Sequence, residues 1–131
     1  MIAVDSSALV AIGFNEPDRS LYLSVLLGSP ETLISQINYV ETGILLVTRG
    51  LLQDQTAVDD WMKQLGIAVA DVEIAAPALE AYLRYGKGIH PARLNLADAF
   101  AYALAKHLNA PLLYKGDDFP LTDIRSALQP T

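Results

Sequence analysis

The residues with the chemistry in this sequence are acidic ones that stand where water is not the obvious neighbour. Asp5 closes the apolar run Ile2-Ala3-Val4, Glu41 lies among Val40, Ile44 and Leu45, and Asp98 is set between Ala97 and Ala99-Phe100-Ala101. Asp117 and Asp118 come just after Leu112-Leu113-Tyr114. Taken singly, each has a plainer role: Asp5 as a helix cap, Asp98 as a first-turn helix charge, Asp117 and Asp118 as turn residues. Glu41 is harder to explain that way, because a carboxylate amid aliphatic side chains needs a partner. If these groups converge, two of them about 4 Å apart repel by roughly 4 kcal/mol at an effective dielectric near 20. Either some stay protonated or a cation sits among them. An all-oxygen donor set selects a hard ion, Mg²⁺ or Mn²⁺.

The elements that must position these groups follow from local signals. Ile2-Ala3-Val4 is a short strand apolar on both faces, as in a parallel sheet. Ser6 and Ser7 offer a cap for a helix over Ala8 to Phe14, and Pro17 starts a second helix reaching Leu27. A strand over 32–34 leads to Ser35, which caps a helix from Gln36 to Gly50. Asp54 or Thr56 opens another helix that ends at Leu65-Gly66, followed by a strand over 67–72 and a helix over 73–85. Gly86 to Pro91 is a loop, Asn95 caps a helix over 96–108, and 112–114 is the last clear strand. From Thr122 the tail adds a small strand or helical turn. Strands alternating with helices predict an α/β fold, a small mostly parallel sheet of four or five strands flanked by helices. In that class, ligands bind beyond the carboxyl ends of the strands, where Asp5 and Asp117 belong.

Composition bounds the reading. The chain has 131 residues, 52% hydrophobic and 18% charged, which suits one domain over 1–131 with a proper core. It contains no cysteine, which excludes a disulfide scaffold, a zinc ribbon and a thiol nucleophile. No apolar run is long enough to span a membrane and the N-terminus has no signal-peptide pattern, so a soluble cytoplasmic domain is expected. The net charge of −6 argues against a broad basic nucleic-acid face, but not against local positive charge beside an acidic centre. Arg84, Lys87 and Arg93, with His90, fall in a stretch without acids that leads to Asp98, and Lys115 stands beside Asp117. These are candidate phosphate contacts, with Tyr82 or Tyr85 available to stack on an exposed base.

Three blocks carry a family resemblance. The N-terminal Met1-Ile2-Ala3-Val4-Asp5-Ser6-Ser7-Ala8-Leu9-Val10, the helix segment Asn38-Tyr39-Val40-Glu41, and the long stretch from Tyr85 to Ala105 resemble VapC-type toxins of the PIN-domain family. The third continues through Leu112-Leu113-Tyr114-Lys115-Gly116-Asp117-Asp118-Phe119 to Thr122-Asp123-Ile124. The resemblance implies a PIN-like fold and an Mg²⁺-dependent endoribonuclease, the toxin half of a type II toxin–antitoxin pair. It carries an acidic quartet onto Asp5, Glu41, Asp98 and Asp117, with Ser7 as the hydroxyl that orients the nearby carboxylates. Counting back from Phe119 makes Asp118 the fourth acid instead. The implied partners are RNA, structured RNA such as tRNA included, a VapB-type antitoxin and a second copy of the chain.

Other chemistries fit less well. Histidine-driven ribonuclease chemistry would have only His90 and His107, in separate regions. A haloacid-type phosphatase needs Asp-x-Asp where this chain has Asp5-Ser6-Ser7, and no Gly-x-x-x-x-Gly-Lys loop is present. The competing reading from another class is a catalytically inactive PIN-like scaffold, whose mark would be a missing acid. All four positions are filled.

Overall fold

The computed structural model describes residues 1–128. Four strands, β1 (Ile2–Val4), β2 (Thr32–Ile34), β3 (Ile67–Val69) and β4 (Leu112–Leu113), form one parallel sheet in the order β3-β2-β1-β4. Six helices cover it: α1 (Ser6–Gly13), α2 (Arg19–Gly28), α3 (Gln36–Thr48), α4 (Gln55–Gln64), α5 (Ala75–Tyr85) and α6 (Leu96–Leu108). A 3₁₀ turn over Phe119–Leu121 follows β4, and Ser126 makes an isolated parallel bridge to Leu112. From Thr122 to Leu128 the tail forms that bridge rather than a strand or helical turn, and its last three residues lie outside those described.

Side-chain alternation along the strands sorts the core into two halves. Ile2 and Val4 of β1 and Leu113 of β4 pack with Leu9, Leu26, Val58 and Met62, under α1, α2 and α4. Ala3 and Leu112 point the other way, onto Ala81, Tyr85, Tyr102 and Leu104 of α5 and α6. Both faces of the sheet are therefore covered, as the unbroken apolar run at the N-terminus requires.

Element boundaries differ from the sequence expectation where tertiary contacts decide. The cap of α1 is Asp5 itself, whose carboxylate accepts from the Ser7 N–H, rather than Ser6 or Ser7. Helix α2 begins at Arg19, because Asp18 rather than Pro17 is its cap. β3 stops at Val69, since beyond the bond from Ala70 N–H to the Ile34 carbonyl it has no further strand to pair with. Helix α5 starts at Ala75, which leaves Pro77 in its first turn. The caps Ser35, Asp54 and Asn95 stand where expected, each accepting a backbone N–H from three residues ahead. Asn109 ends α6 in the left-handed conformation.

Candidate active site

Because all strands run the same way, the carboxyl ends of β1, β2 and β4 share one edge of the sheet, with β1 in the middle. Asp5 follows β1 and is only 3% exposed. Its Oδ2 accepts from the Ser7 N–H at 3.0 Å and from the Ser7 hydroxyl at 2.5 Å, and its Oδ1 accepts from the Asn38 amide at 3.3 Å. Burial pushes the Asp5 carboxyl up to about 7. The Ser7 hydrogen bond works against that rise, while the carboxylates of Asp98 and Glu41 add to it.

Asp98 is the third residue of α6 and closes a capping box. It accepts from the Asn95 N–H at 3.0 Å while its own N–H donates to the Asn95 side chain at 2.8 Å. Its carboxyl is also raised, first by burial, against the Asn95 N–H, and further by the charges of Asp118 and Glu41. Of the two adjacent acids after β4, Asp118 contributes to the rise at Asp98. Glu41 lies in the second turn of α3, and Asp117 and Asp118 are exposed in the loop after β4.

Asn38 is the residue that sequence reasoning left without a role. It is wholly buried, and its amide donates to Asp5 Oδ1, to the Ser6 hydroxyl at 3.1 Å and to the Ala97 carbonyl at 3.2 Å. Its Oδ1 accepts from the Ser35 hydroxyl. One side chain thereby joins the β1 end, α3 and the residue before Asp98. The available signal was a polar residue one turn ahead of Glu41, among the apolar positions of the same helix.

The donors fit a hard cation. They are all oxygens, and one buried and one partly buried carboxylate stand beside like charge, the situation that a bound cation relieves. Among the described residues, no three His, Asp or Glu side chains are gathered closely enough to hold a metal ion between them. Mg²⁺ keeps several waters and needs only one or two protein carboxylates.

The basic residues do not act as one group. Lys87 and Arg93 are exposed on the loop between α5 and α6, which is pinned by Lys87 N–H to the Leu94 carbonyl at 2.9 Å and Leu94 N–H to Tyr85 at 3.0 Å. Arg84 lies with its guanidinium 4.8 Å from the Tyr85 ring centroid, and its charge falls on Asp123 in the groove between α5 and α6. Lys115 is engaged at the surface, its ammonium held by Glu16 and by Asp18 at 3.1 Å. His90 is engaged too, its Nδ1 accepting from the Ala92 N–H at 3.0 Å.

The parallel sheet and its order of elements agree with what the comparisons with known proteins identify. The PIN domain model matches residues 2–124, and the chain belongs to the PIN-domain family. Its relatives are of the VapC type. It is 41% identical over 125 residues to Ribonuclease VapC of Mycolicibacterium smegmatis, covering 94% of this chain and 97% of that one. Identity to Ribonuclease VapC42 of Mycobacterium tuberculosis is 42% over 127 residues, covering 95% and 97%. Ribonuclease VapC30 of the same organism is 36% identical over 131 residues, covering 98% and 100%. The fold is also that of the M. tuberculosis VapC20 crystal structure, a toxin described as cleaving the sarcin–ricin loop. The TM-score is 0.68 at 20% identity, over 95% of this chain and 99% of that one.

Proposed function

We propose that this protein is the ribonuclease toxin of a VapC-type toxin–antitoxin pair, hydrolysing RNA phosphodiester bonds with Mg²⁺, or Mn²⁺, at the acidic centre. The observation that carries the reading is buried Asp5 under the charge of Asp98 and Glu41, with Asp118 bearing on Asp98 in turn. Asp5 and Asp98 would hold the ion, and Glu41 and Asp118 would complete its surroundings, with Asp118 preferred to Asp117. A divalent cation there would stabilise charge on the phosphate and acidify water. The Ser7 hydroxyl fixes the Asp5 carboxylate, and Glu41, which is less buried than Asp5, would orient the attacking water and take its proton. In-line attack by that water leaves a 5′-phosphate and a 3′-hydroxyl.

RNA is reached through Lys87 and Arg93, which stand exposed on the loop leading into α6. Single-stranded loops of structured RNA, tRNA included, suit a small site that reads splayed bases and backbone. The antitoxin is assigned to the apolar groove between α3 and α4, lined by Val40, Ile44, Val47 and Val58. Val40 and Ile44 flank Glu41 on α3, so a segment seated there runs toward the acids. A second copy of the chain is assigned to the exposed Leu79, Leu83 and Leu96 on α5 and α6.

The test is cleavage of purified total RNA on denaturing gels, with Mg²⁺, with excess chelator, and with Asp98→Asn protein. Discrete fragments that need both the metal and Asp98 support the reading, and their 5′ ends report the cut. Cutting that survives chelator and Asp98→Asn overturns the mechanism. No cutting by antitoxin-free protein of any RNA in the pool returns the scaffold reading.

A further inference from the structure

Lys115 has the composition of a phosphate contact and the surroundings of a latch. Its ammonium is taken up by Glu16 and Asp18, in the turn between α1 and α2. Asp18 is itself held by the hydroxyl of buried Tyr22 at 3.0 Å. The backbone of Lys115 is engaged on a second side, its N–H donating to the Ser7 hydroxyl at 2.9 Å. That same hydroxyl donates to Asp5 Oδ2. Immediately beyond Lys115 comes Gly116, with φ of +116°, and then the two acids of the loop. Lys115 is therefore the last tethered residue before Asp117 and Asp118, and the only one of the loop bonded to both the Ser7–Asp5 pair and the α1–α2 turn.

We propose that Lys115 is a positioning residue: its ion pairs with Glu16 and Asp18 fix the start of the loop after β4, so that its N–H holds the Ser7 hydroxyl on Asp5. This rests on the divalent-cation reading above. The ammonium is spent on two carboxylates and does not bind the RNA backbone. The substrate instead meets Lys87 and Arg93. Two separate groups on Lys115 act toward one end, the side chain setting where the loop lies and the main chain setting where the hydroxyl points.

The two roles separate cleanly in solution. Mn²⁺ binding is measured by calorimetry without RNA, and RNA binding by anisotropy in chelator across a salt series, for wild type, Lys115→Met, Lys115→Arg and the double variant Glu16→Gln/Asp18→Asn. Circular dichroism and melting confirm that each is folded. A positioning role predicts Mn²⁺ affinity weakened roughly 10- to 100-fold in Lys115→Met, the scale seen when outer groups that orient ligands are lost. The double variant then weakens Mn²⁺ alike, Lys115→Arg recovers most of the loss, and RNA affinity and its salt slope stay unchanged. A phosphate contact predicts the reverse: Mn²⁺ affinity unmoved, a shallower salt slope in Lys115→Met, and tighter RNA binding in the double variant, whose ammonium is set free. That pattern, or Mn²⁺ affinity equal to wild type in Lys115→Met, overturns the proposal. Wild type that binds no Mn²⁺ overturns the cation reading itself.

Discussion

The side-chain amide of Asn38 donates to the main-chain carbonyl of Ala97 across 3.2 Å, joining the first turn of α3 to the first turn of α6. Through this bond the helix that carries Glu41 and the helix that carries Asp98 share one anchor, and the same amide reaches Asp5. Replacing Asn38 by Leu keeps the branched shape and removes every side-chain donor, leaving a buried carbonyl and a buried carboxylate oxygen unsatisfied. The expected loss is about 1–3 kcal/mol of folding free energy, read from urea unfolding. Stability equal to wild type would mean that water replaces the amide without cost.

The adjacent acids after β4 are expected to behave differently. Because Asp118 bears on Asp98, Asp118→Asn should lower the RNA cleavage rate at least about tenfold, or 1.4 kcal/mol in the barrier. Asp117→Asn should stay within a few-fold of wild type. Single-turnover rates at saturating Mg²⁺ decide it, and the opposite ranking would place Asp117 at the centre.

Lys87 and Arg93 should each contribute one phosphate contact. Substituting either by Gln is expected to weaken RNA binding at low salt and to lower the magnitude of the salt slope by about 0.7 per contact on single-stranded RNA. Arg84→Gln should leave the slope alone, since its charge falls on Asp123. A filter-binding salt series for the three variants tests both statements together.

Acid stability should depend on Asp123. Desolvation raises its carboxyl, but the Tyr102 hydroxyl and the Lys106 ammonium outweigh it and hold the group below the ordinary carboxylate value. A carboxyl depressed in the folded state stabilises fully above its unfolded value, and that stabilisation is lost as the pH falls through the folded one. Wild type should therefore melt above Asp123→Asn at pH 7, and the gap should close on acidification below about 3.9. A gap that stays constant with pH would show that the charge contributes nothing.

Features carried by neighbouring residues were legible in the sequence, and features assembled across the chain were not. The caps Ser35, Asp54 and Asn95 could be read because each bonds within its own first turn. The unbroken apolar β1 signalled a sheet covered on both faces, and Asp5 at its end signalled the site. Lys115 looked like a free cation because Glu16 and Asp18, which capture it, lie 99 and 97 residues away. Asn38 passed for an ordinary helix residue because its partners Asp5 and Ala97 come from two other elements. The order of Asp117 and Asp118 depends on the turn of the chain at Gly116, which no local pattern sets.

The place of β1 between β2 and β4 has a consequence in time. Ser7 receives its bond from a residue 108 positions later, so a growing chain must wait for that partner. At about 5–20 residues per second, the wait is roughly 5 to 20 seconds of synthesis. Throughout it, β1 has one open edge and Asp5 lacks the loop that follows β4. The bond that holds Ser7 from the β4 side can therefore form only after Lys115 has been made.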